Sequence, residues 1–171
     1  MKSRKGLLAF QIIVVLLGVC LFPARDHATP PAEKTPKPFA ETADQALAAM
    51  KKRAEELHIK GVGMVAFSEG DKIESWSSKM LIVGGMKKRD TATEPEINLL
   101  AIAYSKAAES VDTLKDSGSK VRPPMTGEFG WEGGVIAKVK TGHLIVAFSG
   151  GSSEDDLKVS KVGLQVLTDA M

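Results

Sequence analysis

The chain has 171 residues, 23 of them basic and 21 acidic, with a formal net charge of +2. That length fits one domain with additions. Residues 1–38 carry six basic and two acidic side chains, which leaves 17 basic and 19 acidic on residues 39–171. A body with a slight acidic excess has no surplus cations to displace phosphate counterions, which argues against nucleic acid as a partner.

Lys2, Arg4 and Lys5 precede an apolar stretch from Gly6 to Phe22, broken only by Gln11. A positive start followed by such a core predicts export, with the body periplasmic or secreted. The stretch is also just long enough to span a bilayer. Residues 1–22 are therefore read as a signal peptide or a membrane anchor, the anchor being the only expected membrane contact. Cys20 adds lipidation as an alternative, although Val19 stands where lipoprotein signals carry a small residue. Cys20 is the sole cysteine, so the exported body has neither a disulfide nor a cysteine metal site. Residues 23–38 hold Pro23, Pro30, Pro31, Pro36 and Pro38 and read as an extended linker.

The domain proper is expected over residues 39–171. Thr42 and Gln45 suggest a capping box, followed by a helix with Leu47, Met50, Ala54 and Leu57 on one face and a stop at Gly61. Val62–Ser68 reads as a buried strand, Glu69-Gly70-Asp71 as a turn, and Ile73–Val83 as a second strand. The charged Lys87-Lys88-Arg89-Asp90 reads as a loop. A second helix is expected from a Thr93/Glu96 cap, with a stripe at Ile97, Leu100, Ala101, Tyr104, Ala107, Ala108, Val111 and Leu114. Residues 116–133, rich in Gly, Ser and Pro, form a long loop. Val135–Val139 and Leu144–Phe148 make a hairpin across Lys140–His143. A last helix follows Ser149–Ser153, with Val159, Val162, Val166 and Ala170 buried. Adjacent strand pairs between helices point to an α+β sheet of antiparallel hairpins.

Chemistry-bearing motifs are sparse. Lys140-Thr141-Gly142 and Ser117-Gly118-Ser119-Lys120 match two elements of penicillin-recognising enzymes, but the third is missing and the body is too small. Ser149-Gly150-Gly151-Ser152-Ser153 places glycines ahead of a helix, where N–H groups can hold an anion or where a serine simply caps. The acids Glu154, Asp155 and Asp156 favour the cap. His58, in the last turn of the first helix, and His143, at an exposed strand start, have no metal-site spacing, yet either could serve as a single axial ligand to haem iron. Trp131, in a glycine-rich loop, could cover a flat ligand or plug a core edge.

The stretch from Gly133-Gly134-Val135-Ile136 through Ala147-Phe148-Ser149-Gly150-Gly151-Ser152-Ser153 and the acids after it resembles the GlcG/HbpS family, named for a haem-degrading domain and also found at the C-terminus of PduO. Ala103-Tyr104-Ser105-Lys106-Ala107 is similar to that family's Ala-x-x-Lys-Ala, while Ile136 stands where the family has proline. The resemblance implies a profilin-like sandwich, with an antiparallel sheet of about five strands flanked by helices, that assembles into homo-oligomers and binds haem or another small ligand. It carries over to Ser149, Gly150, Gly151, Gly133, Gly134 and Lys106. The expected function is an exported module binding a small molecule, haem or a related tetrapyrrole first. Ser149–Ser153, Lys106 and Trp131 would border the pocket, with His143 or His58 as candidate iron ligands. An enzyme or accessory acting on haem or a small organic acid, and a purely structural oligomer, are the alternatives.

Overall fold

The computed structural model describes residues 37–171, so the expected leader and all but the end of the linker lie outside the described residues. The elements run α1 (Phe39–Glu56), β1 (Gly61–Glu69), β2 (Ser77–Val83), β3 (Lys87–Lys88), β4 (Ile97–Asn98), α2 (Leu99–Thr113), β5 (Gly134–Val139), β6 (Gly142–Ser149) and α3 (Ser153–Ala170). The chain adopts the expected α+β architecture. Its main sheet has four strands in the order β2-β1-β6-β5, one fewer than the five implied, and β3 and β4 form a separate ribbon. All three ladders of the main sheet are antiparallel.

Strand alternation sorts the core into two layers. Val62, Met64, Ala66, Ile145 and Ala147 pack with α2 residues such as Leu99 and Ala103. Val65, Leu144, Val146 and Phe148 face the opposite layer, where Leu47 and Met50 of α1 and Val159 and Leu167 of α3 meet them. The strands β1 and β6 are interior and buried on both faces. Met50 fills a slot between two glycines: a Cβ on Gly63 would lie 3.0 Å from its methyl, and one on Gly163 2.6 Å from its sulfur.

Several local expectations are corrected. The first helix begins at Phe39 after Pro38, and the Thr42 hydroxyl donates to the Pro38 carbonyl instead of forming a capping box. It ends before Gly61. His58 takes a left-handed conformation (φ 57°), its N–H bonding Glu55 O while Ile59 N–H bonds Ala54 O. That double closure of a helix end usually places glycine where His58 stands. The strand β2 starts at Ser77, not Ile73, and Trp76 packs against the α2 layer. The second helix starts at Leu99, capped by Asn98 Oδ1, because Ile97 and Asn98 pair with Lys88 and Lys87 and so cannot be helical. Its buried face accordingly carries Leu99, Ile102, Ala103, Lys106, Ala107 and Ser110, whereas Ala101, Ala108 and Leu114 are exposed. In α3, Val159 is buried as expected, but Gly163 and Leu167 share the inner face while Val162, Val166 and Ala170 are half-covered.

Candidate functional site

The C-terminal end of β6 is where the sheet, α2 and α3 converge. Ser149 ends the strand, Gly150 and Gly151 turn the chain, and Ser152 caps α3, its Oγ accepting from Asp155 N–H at 3.2 Å. Gly150 is required by space: a Cβ there would collide with the carbonyl of Lys60 and lie 2.7 Å from the Gly61 Cα. The glycine turn thus presses directly onto the start of β1.

Behind this turn lies a buried ion pair. Lys106 Nζ donates to Asp156 Oδ2 at 2.6 Å and to Phe148 O at 3.1 Å, and both side chains are nearly inaccessible to solvent. The other carboxylate oxygen accepts Gly151 N–H at 2.8 Å, and Gly150 N–H also favours the charged carboxylate. Burial pushes the Lys106 ammonium below its ordinary value, and the charge of Asp156 and its hydrogen bond oppose that shift. Burial likewise raises the Asp156 carboxyl, opposed first by the charge of Lys106. The short contact, the backbone donors and the α3 N-terminus all favour the ionised pair against that cost of burial. The N–H groups that an anion would need at this turn are therefore directed at the protein's own carboxylate.

Gly133 and Gly134 close over the pair from β5. A Cβ on Gly133 (φ 123°) would lie 2.8 Å from Lys106 Nζ, and one on Gly134 2.6 Å from Lys106 O. Gly133 O accepts Ser160 Oγ at 2.6 Å and Phe148 N–H at 3.0 Å. These two glycines make room for the lysine.

A cavity of about 240 Å³ opens on the outer side of the pair. Of the residues singled out in the sequence, Ser149, Gly150, Gly151, Ser153, Lys106 and Trp131 line it, while Ser152, Gly133, Gly134, His58 and His143 do not. Sequence reasoning missed Asp156 as a wall residue, the apolar wall of Ile97, Leu99 and Ile102, and the charged rim of Lys88 and Asp90. The ribbon carries Lys88 and Ile97 to the mouth. Lys88 Nζ is 3.2 Å from Asp90 Oδ1, both half-exposed, and such a surface pair exchanges partners readily. Trp131 is 48% exposed and stacks on Phe129 with ring centroids 4.8 Å apart. Their loop is pinned by Arg122, which bonds Asp112 at 2.7 Å and both oxygens of Glu128 at 2.6 and 2.8 Å. Arg122 holds the Glu128 carboxyl down to about 2.

The histidines lie apart from this site. His58 is exposed beyond the end of α1. His143 is buried, not exposed as expected, because β6 is flanked by β1 and β5 even at its first residues. It sits six residues before Ser149, about 20 Å along the strand. Its Nδ1 and the Oγ of Ser68, directly across the ladder, have no hydrogen-bond partner among the described residues. No group of three His, Cys, Asp or Glu among the described residues could hold a metal ion.

The fold and this cleft define a small α+β domain with a ligand-sized recess beside a buried ion pair. No protein-family model matches the sequence, and no curated protein matches it significantly. Solved structures do share the fold. PduOC, determined as a haem complex, superposes with a TM-score of 0.56 at 16% identity, over 77% of this chain and 95% of that one. HbpS follows at 0.54 and 17%, covering 79% and 92%. The Klebsiella pneumoniae protein ORFY, of family DUF336, gives 0.53 and 15%, covering 84% and 98%. The GlcG/HbpS-like fold that the sequence resemblance implied is the fold of this chain, and at these identities the likeness is one of fold.

Proposed function

We propose that the chain is an exported ligand-binding module whose site is the cleft beside Lys106–Asp156, and that the ligand is a flat, apolar carboxylate, haem or a related tetrapyrrole foremost. The observation that carries this reading is the composition of the cleft. Ile97, Leu99 and Ile102 offer an apolar wall, Lys88 a re-pairable cation at the mouth, and the stacked Phe129–Trp131 pair an aromatic face in solvent. Apolar walls with a few placed polar groups are the general pattern of small-ligand sites. The haem complex of PduOC, a structural neighbour, adds support for the tetrapyrrole.

A tetrapyrrole fits this site in part. Its carboxylates match Lys88 and its ring matches the aromatic face, but about 240 Å³ holds only an edge of the macrocycle, so most of the ring would lie outside against Phe129 and Trp131. When bound, haem would supply its iron for sensing or storage, and Lys88, Trp131 and the apolar wall would hold and orient it. The cavity volume favours a second reading, a small organic acid accommodated entirely within the cleft. Titration of the full chain with hemin, and separately with small aromatic and aliphatic acids, decides between them. Saturable binding of hemin near one per chain, weakened in Trp131→Ala, supports the first; binding of small acids alone selects the second; binding of neither refutes both.

A further inference from the structure

We propose that this site recognises a tetrapyrrole through its carboxylates and ring face and not through its metal, so that metal-free porphyrin binds as well as hemin. This rests on the reading above and follows from where the chain keeps its candidate iron ligands. Neither the described residues lining the cleft nor the Phe129–Trp131 pair against which the ring would lie includes a His, Cys, Met or Tyr. His58 projects into solvent beyond α1, and His143 is sealed beneath the sheet surface about 20 Å away along β6.

The two lysines of the cleft are no substitute. Lys106 donates to Asp156 and Phe148, and an ammonium has no lone pair to give a metal. Lys88 is half-exposed and already paired with Asp90. As a cation it suits a propionate, which can take the place of Asp90. The remaining attraction is to the ring: an aromatic pair 46% and 48% exposed, held by the Arg122–Glu128 clamp in advance of any ligand. Ring stacking and a carboxylate contact are insensitive to what occupies the porphyrin centre.

The full chain is titrated with hemin and with metal-free protoporphyrin, following absorbance and quenching of tryptophan fluorescence. The two dissociation constants should agree within about threefold, and Lys88→Glu should weaken both by about tenfold. His58→Ala and Met125→Ala should leave the absorption maximum of bound hemin unchanged, Met125 being the exposed sulfur ligand nearest in sequence to the aromatic pair. Hemin binding more than tenfold tighter than the free porphyrin, or a shifted absorption maximum in either variant, would overturn metal-independent recognition while leaving tetrapyrrole binding intact. Absence of binding by both compounds would instead sink the reading on which it rests.

Discussion

Replacing Asp156 by asparagine isolates the charge of the buried pair. Asn keeps an oxygen for Gly151 N–H, now 2.8 Å from Asp156 Oδ1, but turns an amide towards the ammonium that Asp156 Oδ2 holds at 2.6 Å. Lys106 is then a buried cation with only Phe148 O as a partner among the described residues. Removing one member of such a pair costs about 3–5 kcal/mol, a large share of the roughly 5–15 kcal/mol that keeps a domain folded. Urea unfolding followed by circular dichroism should show that loss at pH 7. Burial already depresses Lys106 against the pull of Asp156; without the carboxylate its folded-state value falls further below the unfolded one. The unfolded chain then binds more protons, so the variant's stability must rise with pH from the depressed value towards about pH 10.4. A loss under about 1 kcal/mol, or a variant whose deficit does not shrink between pH 7 and 10, would refute an ionised, stabilising pair.

Three further outcomes follow from the packing. His58→Gly should raise stability by about 1 kcal/mol, because the left-handed helix end disfavours a Cβ, and thermal unfolding with no gain would contradict that. Gly163→Ala places a methyl 2.6 Å from the Met50 sulfur; overpacking of about 1–3 kcal/mol should exceed the helical gain of alanine, and the loss should diminish when Met50 is shortened to Val. Glu128, held at about 2 by Arg122, contributes its clamp fully above pH 4.5 and loses it as pH falls towards 2. In a Trp76→Phe background the emission of Trp131 should change across that window and become flat in Glu128→Gln.

The layered fold was legible because its signals are periodic. The runs Val62–Ser68 and Leu144–Phe148 are apolar on both faces, as interior strands must be, and the helices showed their spacing. What escaped has no period to show. A ribbon of two residues per strand, Lys87–Lys88 against Ile97–Asn98, looks like loop sequence, yet it shifts the start of α2 from Thr93 to Leu99 and rotates the buried face. The site was half-legible. The resemblance pointed to Lys106 and the Ser149–Ser153 turn, but Asp156 read as one of three helix-start acids. A lysine on a buried helix face requires a buried carboxylate, and that rule singles out Asp156, one turn ahead of Val159 and Ser160. His143 looked like the exposed end of a hairpin because a single strand does not reveal which neighbours flank it.

The Lys106–Asp156 contact joins residues fifty positions apart, and it needs β5, β6 and the first turn of α3 in place before its charges can leave water. Closing so long a loop is costly until the strands have paired, so the contact belongs to the native side of the folding barrier. Weakening it should leave the rate of folding nearly unchanged and quicken unfolding instead. The pair is in that sense a latch on the lifetime of the folded chain.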